Sequence, residues 1–266
     1  MTPYYRGNGF GSFATGLGSQ RKIGGAGHCQ KYYASCHKRA QCQDYGKDVQ
    51  GSSGSLISHQ TVYNEIIPVE TISNVKPANL YRMDRPDLIS AFTKIELWRQ
   101  TQFRTIVYLD ADVVAIRAPN ELLNSDAHLS AVPDVGWPDC FNSGMLVLQP
   151  NMGDYYSLLA LAERGISFDG ADQGLLNMHF RRWHRLSFTY NCTPSGSYQY
   201  VPAYKHFHSS ISLVHFIGRE KPWKMGRNAE GSSEVFEELL GRWWAVYNRY
   251  YHCRVSLRHC SLAHDC

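Results

Sequence analysis

Over residues 1–57 the apolar and polar positions follow neither the two-residue period of a strand nor the 3.6-residue period of a helix, and no element is predicted there. From Val62 onward the pattern becomes readable. Ile66-Ile67-Pro68-Val69 is a short strand-like run. Asp84-Arg85-Pro86-Asp87 reads as a helix start, with an acidic cap and proline in the first turn. The helix predicted after it carries Leu88, Phe92, Ile95 and Trp98 at spacings of three and four. Strands are predicted at residues 105–109 and 144–148, the second followed by Pro150. A helix over 154–164 stops at Gly165, and another starts near Asp172 and runs through Leu175, Leu176 and Phe180. Further strands are predicted at 186–190 and 213–216. A last helix, 234–251, places Phe236, Leu240, Trp243, Tyr247 and Tyr250 on one side. Strands alternating with helices predict an α/β domain with a mainly parallel central sheet.

The organisation expected is therefore an atypical, poorly ordered glycine-rich stretch over 1–57, a folded domain over 58–251 and a His/Cys-rich tail over 252–266. Eleven of the 22 glycines fall in the first stretch. So does the positive charge: residues 1–50 hold seven Lys or Arg against Asp44 and Asp48, which leaves the rest of the chain near neutrality. That distribution gives a nucleic-acid partner little support. With 266 residues, 43% hydrophobic and 19% charged, the chain has an ordinary globular composition. No run approaches 18 uncharged apolar residues, so no membrane span is expected, and the start lacks the apolar core of an export signal. Those two absences predict a cytoplasmic protein with reduced thiols. The eight cysteines interleave with histidines near both ends, but without the paired C-x2-C spacing of a zinc site.

The chemistry starts at Tyr108-Leu109-Asp110-Ala111-Asp112, directly after an apolar run. Two carboxylates at the carboxyl end of a buried strand face the crevice where α/β sheets bind ligands. There they can hold a hard divalent cation, which in turn can neutralise a diphosphate. Alone, the same triplet also describes a solvated turn. Four further segments accompany it: 137–144 (Trp-Pro-Asp-Cys-Phe-Asn-Ser-Gly), 168–177 (Phe-Asp-Gly-Ala-Asp-Gln-Gly-Leu-Leu-Asn), 188–191 (Phe-Thr-Tyr-Asn), and His215-Phe216-Ile217-Gly218 with Lys221-Pro222-Trp223. Read one by one, His215 is better explained as a core histidine with a hydrogen-bond partner, Lys221 as a solvated lysine, and Lys94 as a rim residue snorkelling beside the Ile95 stripe.

In this order and at these separations, the five segments resemble the glycogenin and galactinol synthase family of retaining glycosyltransferases, over about seven tenths of the chain. The Asp-Cys-Phe-Asn-Ser-Gly and His-Phe-x-Gly segments are more similar to its glycogenin branch. The resemblance implies a single Rossmann-like domain that binds UDP-glucose and a Mn2+ (or Mg2+) ion. It matches Asp110, Asp112 and His215 to the metal ligands, Lys221 to a lysine on the leaving diphosphate, and Lys94 to another substrate-binding lysine. Asp134, Asn142, Asp169, Asp172 and Gln173 match residues that grip the glucose hydroxyls, and Ala111, Ser143 and Gly218 fall within the same substrate-binding motifs. Asp172 matches the carboxylate nearest the reacting carbon, which could act as a transient nucleophile or stand beside a front-face reaction. Tyr198, in a Ser/Gly-rich loop with Tyr200 two residues on, matches a tyrosine that receives the first glucose.

The function so implied is self-glucosylation that primes glycogen: UDP-glucose as donor, a growing α-1,4-glucan as product, a homodimer as assembly and glycogen synthase as a further partner. Two family features are not recognisable in this sequence. The opening strand-helix-strand that holds uridine is not found in 1–57 and is expected to be missing, and no tail of the kind that recruits glycogen synthase is expected in the residues after Tyr251. The alternatives are a catalytically impaired or truncated relative acting as a binding or scaffold protein, and a transferase using another sugar or a separate acceptor.

Overall fold

The computed structural model describes residues 2–4, 31–35, 67–194, 200–218, 221–226 and 233–248. The nine strands among these residues are β1 (Thr2–Tyr4), β2 (Lys31–Ser35), β3 (Ile67–Val69), β4 (Ile106–Asp110), β5 (Val113–Ala115), β6 (Leu129–Pro133), β7 (Phe141–Leu148), β8 (His184–Arg185) and β9 (Leu213–His215). The α-helices are α1 (Ala78–Arg82), α2 (Met152–Glu163), α3 (Asp172–His179), α4 (Val201–Phe207), α5 (Pro222–Met225) and α6 (Glu234–Tyr247). A five-stranded sheet in the order β2-β4-β7-β6-β8 forms the centre.

β4 is the strand around which the molecule is built. Its two-residue alternation sends Ile106 and Tyr108 to one face and Val107 and Leu109 to the other, and all four are fully buried. On the first face they meet Phe92, Trp98, Leu158 and Leu175; on the second they meet Val113, Leu122 and Leu213. Covering both faces explains why the strand reads as a continuous apolar run. Each large side chain buried this way contributes about 1.5–3 kcal/mol. A third cluster packs α6, through Leu239 and Trp243, against Val214 and Phe216 around β9.

The α/β class expected from the sequence is what the structure has, but the sheet is mixed. β2 runs parallel to β4 and β8 parallel to β6, while β4–β7 and β6–β7 are antiparallel. Two more differences concern the first 57 residues, where no strand was predicted. β1 pairs antiparallel with β3, and β2 lies along the whole of β4 with Ser35 opposite Asp110. Three-residue and five-residue strands of mixed polarity are too short to show a period, which is why the sequence pattern did not announce them.

The helix predicted after Pro86 is two 3-10 segments, Pro86–Leu88 and Ala91–Leu97. Every residue of the second is buried, Lys94 and Glu96 included, so it has no solvated face. Beyond Arg185 the chain forms a 3-10 turn, Phe188–Tyr190, where a strand over 186–190 was predicted; the Ser187 side chain accepts a hydrogen bond from the Thr189 backbone N–H and turns the chain there. α2 ends as expected, with Gly165 at φ 65° after it. The final helix is described to Tyr247, with Val235, Leu239, Leu240 and Trp243 buried; Tyr250 lies outside the described residues.

Candidate active site

β4 ends at Asp110, and the chain then turns through Ala111 and Asp112 into β5. β5 pairs antiparallel with β9 so that Val113 faces His215, and the Phe216 N–H donates to the Asp112 carbonyl at 3.0 Å. That register carries a histidine from a hundred residues downstream to the acidic pair. One ligand atom from each of Asp110, Asp112 and His215 lies within 4.8 Å of the others. β7 crosses beneath the imidazole at Gly144, where a Cβ would lie inside the space of the His215 ring. Only glycine allows this approach.

The imidazole is oriented from behind. His215 Nδ1 lies 3.0 Å from Asn191 Oδ1, while Asn191 Nδ2 donates to Asn142 Oδ1 at 2.9 Å. Asn191 Oδ1 is thus an acceptor, and the Nδ1–H points to it. Nε2 is left facing Asp112 Oδ1 at 3.2 Å. A nitrogen lone pair against a carboxylate oxygen needs positive charge between them, either a second ring proton or a cation. Two hard oxygens with one imidazole nitrogen form a donor set that fits a divalent ion, and the fit rests on this facing pair.

Two lysines complete the charge balance. Lys221 pairs with Asp112 Oδ2 and also donates to the Phe216 carbonyl at 2.7 Å. Burial pushes the Asp112 carboxyl up, but His215 and then Lys221 outweigh it and hold the group well below the usual carboxylate range. Lys94 is 1% exposed, so it is no snorkelling rim residue. Its ammonium pairs with Asp172 Oδ2, lies 3.2 Å from Asp110 Oδ1, and donates to the Ser143 carbonyl at 2.9 Å. Burial works to lower the Lys94 pKa, yet Asp110 and Asp172 reverse the balance and raise it above the ordinary lysine value.

On the far side of Lys94 lies a polar array. Asp172 opens α3 and accepts from Ser143 Oγ at 2.8 Å. Next to it, Gln173 Oε1 accepts from Asn142 Nδ2 at 3.2 Å, and Gln173 Nε2 donates to Asp134 Oδ2 at 3.2 Å. Asp134 Oδ1 is fixed by the backbone N–H groups of Gly136 and Trp137 at 2.9 and 3.1 Å. Asp169 Oδ1 caps the loop, accepting from Ser167 Oγ and from the N–H groups of Ala171 and Gly174. Burial, with the charge of Asp172 adding to it, raises the Asp169 pKa despite those donors. The half-buried Asp134, Asn142, Asp169 and Gln173 present donors and acceptors side by side, as hydroxyl recognition requires.

The structure therefore brings into one region Lys94, Asp110, Ala111, Asp112, Asp134, Asn142, Ser143, Asp169, Asp172, Gln173, His215 and Lys221. Gly218 follows His215 at φ 88°, in open space. Tyr198 lies outside the described residues; Tyr200 is exposed, immediately before α4. Sequence reasoning left two members of the site unassigned. Asn191, inside a quoted segment, links His215 to Asn142, and Tyr108 donates through its hydroxyl to Asp110 Oδ1 at 2.5 Å.

Comparison with known proteins covers the stretch of chain in which these residues lie. The profile of the family described as Glycosyl transferase family 8 matches residues 52–226. A glycogenin of Neurospora crassa is 69% identical over 193 residues, covering 72% of this chain and 28% of that protein. Glycogenin of Cryptococcus neoformans is 44% identical over 220 residues, covering 71% of this chain and 24% of its own length. Human glycogenin-1 is 39% identical over 203 residues, 71% of this chain and 58% of that one. The chain thus spans about a quarter of the length of the two fungal relatives and under two thirds of the human one.

Proposed function

Since this chain belongs to glycosyl transferase family 8, we propose that it transfers glucose from UDP-glucose to a tyrosine of its own chain and then extends an α-1,4-glucan with retention, priming glycogen. The observation that carries this reading is the single Lys94–Asp172–Ser143 junction, which joins the Asp110/Asp112/His215 cluster on one side to the Asp134/Asn142/Gln173 array on the other. A diphosphate-bound sugar needs both halves within one ligand's length. The names of the glycogenin relatives support the choice of glucose and of a glucan product.

Asp110, Asp112 and His215 would hold the metal, with Mn2+ or Mg2+ the ions in view. When bound there, the ion supplies Lewis acidity toward the diphosphate oxygens. Lys221, hinged by Gly218 and tethered at the edge of the cluster, places positive charge where negative charge develops on the departing UDP. Asp134, Asn142, Asp169 and Gln173 orient the glucose through its hydroxyls. Asp172, held by Lys94 and Ser143, is in this reading the carboxylate nearest the reacting carbon, where it can attack that carbon as the bond to UDP breaks or stabilise the positive charge that develops there. Tyr198 is the acceptor in this reading, with Tyr200 beside it. A homodimer, a cytoplasmic setting and an encounter with glycogen synthase belong to the same proposal.

Incubation of the purified chain with UDP-glucose and Mn2+, followed by intact mass, tests it. Mass gained in steps of one hexose supports self-glucosylation, and Tyr198→Phe should then block the first step. UDP released with no change in mass would reassign the acceptor to a separate molecule. No mass change and no UDP release would turn the reading to a binding or scaffold role.

A further inference from the structure

Tyr108 is a second residue of β4 that reaches the candidate metal cluster, two positions before Asp110 and on the same face of the strand. Its ring is fully buried in the core with Phe92, Ile95 and Trp98, so the packing fixes where the hydroxyl ends up. That hydroxyl donates to Asp110 Oδ1 at 2.5 Å. The Lys94 ammonium sits over the same ring, 4.8 Å from its centroid, and lies 3.2 Å from the same carboxylate oxygen. Both donors thus fall on Oδ1, and Oδ2 is the oxygen left to a cation.

We infer that Tyr108 is a positioning residue of the metal site: its phenol holds Asp110 through Oδ1 and so leaves Oδ2 for a cation shared with Asp112 and His215. The inference rests on the metal-dependent reading of the site above. The physical need is clear from the neighbours. Lys94 is a compact point charge with three rotatable donors, and a carboxylate next to it is free to turn and pair through either oxygen. A planar phenol anchored in the core gives Asp110 a directional donor, which an ammonium does not. Partners of this kind, one bond removed from the ion, set ligand orientation and govern affinity for the metal.

Tyr108→Phe tests this with little disturbance, since the ring stays in the core and under Lys94 while only the hydroxyl is lost. The readout is Mn2+ affinity of the sugar-free protein, measured from the electron paramagnetic resonance signal of free Mn2+. Tyr155→Phe is the control: it also deletes a hydroxyl from the same core, one that donates to the buried Glu96 carboxylate at 3.0 Å. The expected result is a loss of affinity of about tenfold or more for Tyr108→Phe, the scale of such outer partners, with Tyr155→Phe matching wild type. A smaller loss, a gain, or equal losses in both variants would overturn the assignment of Tyr108 while leaving the metal site standing. Failure of the wild-type chain to bind Mn2+ would instead remove the metal site, and this proposal with it.

Discussion

At the residue scale the deciding feature is a buried lysine shared by two aspartates. Removing one partner of such a buried network leaves uncompensated charge, which costs about 3–5 kcal/mol. In Lys94→Met, Asp110 and Asp172 would face each other without a cation. Because Asp110 and Asp172 raise the Lys94 pKa against the pull of burial, the sign of the pH dependence follows. A lysine with a raised folded pKa contributes stability that is complete below its unfolded value, about 10.4, and fades as pH climbs through the folded value. The gap in urea-unfolding stability between wild type and Lys94→Met should therefore be about 3–5 kcal/mol near neutrality and shrink in strongly alkaline buffer. A gap that stays constant across that range would mean Lys94 acts by packing alone.

Elements show why part of this site could be read from the sequence and part could not. The apolar run ending in Asp110-Ala111-Asp112 was legible because burial on both faces leaves a continuous hydrophobic signal and the carboxylates interrupt it sharply. α2 was legible from its stop at Gly165. The segment Ala91–Leu97 was not: it is buried all round, so no polar side exists to betray whether its turns are α or 3-10, and Lys94 gave no sign of facing inward. His215 could be placed only by resemblance, because its proximity to Asp112 comes from the β5–β9 register, a pairing no local pattern encodes. Gly144 is the clearest case of an element-scale constraint. The irregular stretch of β7 that carries Gly144 is anchored at both ends, at Leu146 by Tyr108 and Ala131 and at Asn142 and Phe141 by Val132 and Pro133, so it has little freedom to back away from the imidazole. Gly144→Ala should therefore displace the ring and abolish Mn2+ binding in calorimetric titration, with a stability loss of about 1–3 kcal/mol from overpacking. Wild-type affinity in that variant would show that β7 yields more easily than its two ladders suggest.

For the whole molecule, the open question posed by the sequence was what stands on the outer side of β4, since the family's opening strand, helix and strand were not recognisable in residues 1–57. The structure puts β2 there, parallel to β4 from Lys31 opposite Ile106 to Ser35 opposite Asp110. The glycine-rich stretch thus supplies an edge strand that shields the one carrying the acidic pair, and its backbone comes level with the candidate metal ligands. An uncovered β4 edge would present a row of unpaired backbone groups on a strongly apolar strand, a template for aggregation. Deleting residues 1–57 should consequently speed hydrogen exchange of the amides in Ile106–Asp110 relative to those of β6, which keeps both of its neighbours. Exchange followed by mass spectrometry on peptides spanning the two strands gives the comparison within a single sample. Equal protection of β4 in the full and shortened chains would mean that β2 contributes no pairing in solution, and the outer side of the acidic strand would then need another cover.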